Sequence, residues 1–338
     1  MSIARMCRMN LDLLDIRKTA LVVVDMQNAF CHKEGTLGIS GVDTDHLSSV
    51  VAPLRNLVER CRAVDMPVLW TLQEHFPVDH RRARKRLPSH TSRRKRVSAL
   101  VGTWDAEIID EFKEFADDPT FVIRKHRYGA FHETRMHIVL EMLGVDALLM
   151  TGLTTNACVE TTIREAYLRD YDVVGVTDCI SGVNPAWESA ALEVWHQYFA
   201  ETCLAADVYA WIDRQLAPKT LALHHVLLKV RDFERSKRFY FDLLGFSERP
   251  GAKPLADGRP FVSTRQGLGI TVRGSGDQGQ VDHFAFAVQN VEALSRQLKE
   301  AGVVFDRELG EGPYGQAIYI RDPDGNILEL FEPAAGGT

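Results

Sequence analysis

From Thr19 to Trp211 the chain alternates short apolar runs with longer amphipathic segments, and this alternation constrains its fold more than any other feature. The runs "ALVVVD", "PVLWT", "TFVIRK", "DALLMTG" and "DVVGVTD" are rich in Val and Leu and bounded by turn residues, as strands buried on both faces are. Between and after them, "DTDHLSSVVAPLRNLVERCRAV", "WDAEIIDEFKEF", "ETRMHIVLEMLG", "ACVETTIREAYLRD" and "PAWESAALEVWHQYF" carry apolar residues at helical spacing. Strand and helix in turn imply an α/β domain over residues 15–213, a parallel sheet with helices on both faces.

The pattern changes around Pro218, and its polar neighbours suggest a linker over residues 214–221. Beyond it, "LHHVLLKVRDFERSKRFYFDLLGFSER" reads as strand, helix and turn, and "VDHFAFAVQNVEALSRQLKEAGVVFDRE" repeats that order about sixty residues later. Each half continues into further strands, "PFVSTRQGLGITVRG" and "QAIYIRDPDGNILELFE". The expectation for residues 222–334 is an α+β domain of paired βαβββ modules. A chain of 338 residues has room for both cores.

No run of eighteen apolar residues occurs, and the first twenty residues lack an apolar segment followed by a small-residue cleavage site, so a cytoplasmic protein without membrane contact is expected. A net charge of -6 argues against a nucleic-acid partner. The segment "RRARKRLPSHTSRRKR", residues 81–96, is locally very basic. It reads as a solvated loop or an oligomer contact, the alternative being a pocket rim that attracts an anionic substrate. Six scattered cysteines have neither the density of a disulfide scaffold nor the spacing of a zinc knuckle, and reduced thiols are expected.

In an open parallel sheet, ligands bind in the crevice outside the carboxyl ends of the strands. Asp25 closes "LVVVD", Lys125 closes "FVIRK" and Cys158 follows "LLMTG" at a helix start. Singly, such residues cap turns, sit solvated or pack as inert thiols. Together they make a coherent amide-cleaving set. A thiolate is the competent nucleophile, a helix N-terminus and a nearby ammonium favour it, and a carboxylate takes and returns the proton.

The stretches "VVVDMQNAF", "IRKHRYGAF" and "TGLTTNACVETTIREAYLRDYDVVGVTDC" resemble the isochorismatase-like cysteine hydrolases, whose sheet is Rossmann-like. The resemblance implies a catalytic triad of Asp25, Lys125 and Cys158. It also implies a cis peptide between Leu153 and Thr154, which presents the Thr154 N–H together with that of Cys158 as an oxyanion hole. Cys158 argues against vinyl-ether cleavage, since true isochorismatases lack that cysteine. "WTLQEHF" stands in place of the metal motif of nicotinamidases, so no metal is expected in this domain. "GTWDAEIIDEF", "RKHRYGAF" and "TTNACVETTIREAYLRDY" are most similar to the ureidoacrylate amidohydrolases and the biuret-type hydrolases. By position, Gln73, His75 and Tyr128 then line the substrate pocket. Gln73 and His75 replace the Asn and Trp of the ureidoacrylate enzymes, which leaves the substrate open. A homo-oligomer is a further expectation from the resemblance.

In the C-terminal half, His225 and His283 occupy equivalent first strands of the repeats, and Glu329 lies in the last strand, "NILELFE". Two imidazoles and a carboxylate suit a divalent metal such as Fe, Mn or Zn. "HHVLLKVRDFERSKRFYFDLLGF" and "YIRDPDGNILEL" resemble the vicinal oxygen chelate superfamily, in which those three residues match the ligand set. "GLGITVRG" lacks the further carboxylate of glyoxalases. His224 is expected on the opposite strand face from His225 and not as a ligand.

The reading that follows is a cysteine-dependent amidohydrolase. It would cleave a C–N bond of a small amide, ureide or carbamoyl compound through a thioester. Two alternatives concern the C-terminal domain: a metal-dependent dioxygenase or isomerase within a bifunctional enzyme, or a non-catalytic binding or assembly module.

Overall fold

A computed structural model describes residues 11–81, 94–251, 255, 257–274, 281–321 and 326–334. Cys7, most of the basic segment (82–93) and "DPDG" (322–325) lie outside the described residues. The chain divides into two compact units, Met1–Gln215 and Leu216–Thr338.

In the first unit, β1 (Thr19–Val24), β2 (Val68–Gln73), β3 (Val122–Lys125), β4 (Ala147–Leu153), β5 (Asp172–Ser181) and β6 (Glu201–Cys203) form one sheet in the order β3-β2-β1-β4-β5-β6. Every pairing is parallel. The α/β class with helices on both faces is therefore as expected. Alternate residues of β1 serve two layers. Leu21 and Val23 pack with the helices Val51–Arg62 and Ala205–Leu216, whereas Ala20, Val22 and Val24 pack with Met136–Met142, Glu160–Tyr167 and Pro185–Tyr198. Each fully buried aliphatic side chain contributes about 1.5–3 kcal/mol. The helix Pro185–Tyr198 begins where Asn184 Oδ1 accepts the Ala186 N–H and Pro185 supplies a first-turn residue that needs no donor.

The expected helix over "WDAEIIDEFKEF" is instead two 3₁₀ turns, Trp104–Ala106 and Asp110–Phe115. Its backbone is engaged elsewhere: Ile109 N–H donates to Met26 O at 3.0 Å, and Ile108 bridges Gln27. Within the expected linker 214–221, only residues 217–218 lie outside helix and strand. The helix runs to Leu216 and the next strand starts at Lys219, because Pro218, lacking an N–H, ends the helix while residues 219–221 are already extended.

The second unit holds β7 (Lys219–Val230), β8 (Phe261–Ser263), β9 (Leu268–Val272), β10 (Val281–Gln289), β11 (Phe305–Glu311), β12 (Gly315–Arg321) and β13 (Ile327–Pro333), in the order β11-β12-β13-β10-β7-β9-β8. The two modules meet where β7 and β10 pair antiparallel, and each first strand lies parallel to the last strand of its own module. Among the described residues of the first module, a single Glu248–Thr264 bridge stands where the second has the full strand β11.

One close approach fixes the sheet beneath the first site. Gly152 pairs with Val24 at a φ of +97°, and a Cβ there would lie 2.1 Å from Val24 O. Only glycine fits both the angle and the space. Gly152→Ala is expected to cost about 2–4 kcal/mol, read as a lowered midpoint in urea unfolding; an unchanged midpoint would show that β1 and β4 tolerate separation.

Candidate active site

The chain leaves β1 toward β2 and β3, then returns to the other side of β1 through β4. The crevice at this reversal is where an open α/β sheet takes ligands. Asp25 follows β1, Lys125 ends β3, and the chain after β4 turns through Thr155–Val159, a single π-helical turn, into the helix Glu160–Tyr167. Cys158 lies in that turn. The bond between Leu153 and Thr154 is cis.

Asp25 and Lys125 are both fully buried, and Lys125 Nζ donates to Asp25 Oδ2 at 2.7 Å. The other ammonium hydrogens meet Gln73 Oε1 at 3.0 Å and Arg127 O at 3.3 Å. Asp25 Oδ1 accepts from Thr71 Oγ1 at 2.7 Å. A carboxylate has about four acceptor sites, so capacity remains on Asp25 for a further proton donor. Burial works against the ammonium, but Asp25 and then Cys158 outweigh it and hold Lys125 above its ordinary pKa.

Burial likewise dominates Cys158. Removal from water pushes the thiol up to about 12, Lys125 pulls it down, and Asp25 pushes it up again. The sequence led us to expect a depressed thiol; Lys125 acts in that direction, yet desolvation is larger. The sulfur therefore carries its proton at neutral pH.

Asp25, Cys158, Thr154, Gln73, His75 and Tyr128 all line one cavity of about 210 Å³. Lys125 does not line it, but bonds to Asp25 and Gln73, which do. Gln27 accepts the Gln73 N–H through Oε1 at 2.8 Å and donates through Nε2 to Gln73 O at 3.0 Å and Ala106 O at 2.7 Å. His75 Nδ1 lies 2.6 Å from Ser98 O, a pure acceptor, so Nδ1 carries the proton and Nε2 accepts from Gln73 Nε2 at 3.3 Å. Burial holds His75 below its ordinary pKa. Gln73 is thus locked with its oxygen on Lys125 and its nitrogen on His75.

Thr71, Gln27 and Arg94 were not singled out from the sequence. Thr71 shares a strand face with Gln73 by the two-residue period, the one signal that pointed to it. Arg94 belongs to the basic segment and lines the cavity.

In the second unit, register brings His225, His283 and Glu329 together. His225 and Glu329 both pair with Ala285, on β7 and β13, and His283 lies two residues before Ala285 on the same face of β10. Their ligating atoms lie within 4.8 Å of one another. His283 Nδ1 is 2.8 Å from Asp282 Oδ2 and its Nε2 is 3.1 Å from Glu329 Oε2. Burial opposes the charged ring, but these carboxylates outweigh it and raise His283 to about 9, whereas burial lowers His225 to about 4. Among the described residues, Glu329 Oε1 is buried without a hydrogen-bond partner. Two imidazoles and an incompletely satisfied buried carboxylate fit a divalent cation.

His224 departs from expectation. The pairing steps from His225–Ala285 to Leu223–Phe286, leaving His224 as a bulge residue. Its Nδ1 lies 2.9 Å from His225 Nδ1, its Nε2 lies 3.0 Å from Arg249 Nη1, and its ring meets Tyr314, which also meets His225.

The model of the isochorismatase domain matches residues 19–207, and that of the glyoxalase/bleomycin resistance protein/dioxygenase superfamily matches residues 222–330. Among curated proteins, the ureidoacrylate amidohydrolase RutB of Serratia proteamaculans is 29% identical over 216 residues, 60% of this chain and 84% of that protein. A RutB of Methylorubrum extorquens is 32% identical over 199 residues, 55% of this chain and 79% of that protein. Among solved structures, a cysteine hydrolase from Pseudomonas syringae pv. phaseolicola superposes with a TM-score of 0.54 at 25% identity, covering 63% of this chain and all (100%) of that one. An isochorismatase family protein from Desulfovibrio vulgaris gives 0.51 at 26% identity, covering 59% of this chain and 100% of that one.

The neutral thiol has a direct consequence. Since only the thiolate is alkylated, iodoacetamide should label Cys158 more slowly at pH 7 than a solvent-exposed cysteine, with a rate still climbing above pH 9. Peptide mass spectrometry reads the site; a rate that levels off below pH 7 would mean a depressed thiol.

Proposed function

The chain belongs to the isochorismatase family over residues 19–207, and from that premise we propose that it is a cysteine-dependent amidohydrolase acting on a small amide, ureide or carbamoyl compound. The observation that carries this reading is the buried Lys125–Asp25 ion pair, whose Asp25 lines one small cavity with Cys158. The likeness to RutB proteins, ureidoacrylate amidohydrolases by name, supports the C–N bond as the target.

In the proposed mechanism Asp25 takes the thiol proton as Cys158 Sγ attacks the carbonyl carbon. The N–H groups of Thr154 and Cys158 stabilise the oxyanion. Collapse breaks the C–N bond, Asp25 returns its proton to the leaving nitrogen, and a thioester remains. Water then attacks the thioester, giving a proton to Asp25 that passes back to the sulfur. Lys125 keeps Asp25 oriented and its charge compensated, while Gln73 and Tyr128 shape the cavity. Replacing Cys158 by Ala should lower ammonia release from any turned-over amide by about a thousandfold or more. Retained turnover in that variant sinks the reading.

A second reading concerns residues 222–330. His225, His283 and Glu329 would hold a divalent cation, which supplies Lewis-acid chemistry when bound. The orphaned Glu329 Oε1 favours this over a purely structural cluster. Elemental analysis should find about one Fe, Mn or Zn per chain, lost in His283→Ala; a metal content the same in both proteins would leave no case for the site.

A further inference from the structure

The basic segment 81–96, read from sequence as a loop, an oligomer contact or a pocket rim, has a described end whose position is set by one buried carboxylate. Asp105 Oδ1 accepts from Thr36 N–H at 2.9 Å and Arg96 Nη2 at 2.7 Å, and Oδ2 accepts from Thr36 Oγ1 and Ala99 N–H, both at 2.7 Å. Arg96 is tied further to Glu34 O at 3.0 Å. These bonds hold residues 96–99 against the domain, and Ser98 in turn holds His75 at 2.6 Å. Arg94, two residues before that anchor, is thereby brought to the wall of the Cys158 cavity.

Arg94 is partly buried, and among the described residues it forms no ion pair with a carboxylate. Burial lowers its pKa, and Tyr128 alone acts in the opposite sense. The other charges about the cavity cancel, since Asp25 is paired with Lys125 at 2.7 Å and His75 is neutral. Among the described residues, one uncompensated positive charge is left on the wall of a space of about 210 Å³ that Cys158 also lines. A guanidinium presents a planar fork that matches a carboxylate, and a partly desolvated one gains most from meeting it.

We propose that Arg94 is the specificity-determining residue of this cavity and binds a carboxylate on the substrate, so that the substrates are amido or ureido acids rather than neutral amides. This rests on the reading of the cavity as the hydrolase site. Arg94 is placed to hold such an anion while the C–N bond lies at Cys158.

The test uses the full-length Cys158→Ala protein, whose turnover the hydrolase reading expects to be lowered about a thousandfold or more, and calorimetric titration with N-carbamoylglycine and N-carbamoyl-β-alanine, each beside its primary amide. At least one acid should bind about tenfold or more tighter than its amide. Adding Arg94→Met should remove that preference by weakening the acid, and Arg94→Lys should restore part of it, which a merely unfolded variant would not do. Acid and amide binding alike, neither acid binding, or a loss in Arg94→Met equal for both members of a pair overturns the proposal. Ammonia release by the wild-type chain from the same compounds is the separate readout of the hydrolase reading. Release that survives Cys158→Ala defeats that reading, while the charge preference is decided by the titration.

Discussion

The first unit depends on a pair of charges buried away from bulk solvent. Lys125 and Asp25 meet at 2.7 Å with both side chains sealed from solvent. Burying two ions is expensive, and their attraction compensates only when the remaining donors and acceptors are also met. Thr71, Gln73 and the Arg127 carbonyl meet them. Each comes from the end of β2 or the turn after β3, so the parallel register of β1, β2 and β3 is what makes the pair tolerable. A well-packed apolar pair would serve stability equally well or better. Retaining ions here is therefore understandable through what they do beside Cys158.

The class of the first unit was legible because its strands are nearly continuous Val and Leu runs and its helices keep their apolar period. Where the reading failed, backbone partners from distant residues decided the outcome. "WDAEIIDEFKEF" has helical spacing, yet Ile108 and Ile109 bond to the turn after β1, an attachment with no local signature. Asp25, Lys125 and Cys158 could be placed at strand ends from sequence; with the strand order β3-β2-β1-β4, Asp25 and Cys158 line one cavity, and Lys125 does not line it but bonds to Asp25. The sign of the thiol's shift was not legible. Lys125 and the helix start are visible in the chain, whereas the desolvation that outweighs them is a property of the closed fold. Thr71 and Gln27 were missed for the same reason, since their roles exist only through the neighbours the sheet gives them.

The second unit teaches the same lesson on a finer scale. The internal repeat announced two equivalent first strands, and register carries His225 and Glu329 to either side of Ala285, with His283 one period away. His224 was expected on the far face by strict alternation. A bulge of one residue breaks that alternation and turns its ring toward His225 and Tyr314. Bulges are set by how two strands meet, so they escape a reading that treats each strand alone.

The resting protonation of the first site bears on how the proposed reaction can proceed in so dry a place. With the proton on sulfur, Cys158 is neutral and the charges on Asp25 and Lys125 cancel. Attack transfers that proton to Asp25 and leaves a negative charge on the substrate oxygen, so the summed charge of Asp25, Lys125, Cys158 and the reacting carbonyl stays at zero. One unit of negative charge moves from a carboxylate to an oxyanion; none is created. In a low-dielectric cavity this matters, because separating new charges there costs far more than shifting one charge past a fixed cation. Lys125, held by three acceptors, is that fixed cation. A thiolate at rest would add a second buried anion beside Asp25 and forfeit the balance. The raised thiol is thus consistent with a nucleophile that is formed only as it attacks.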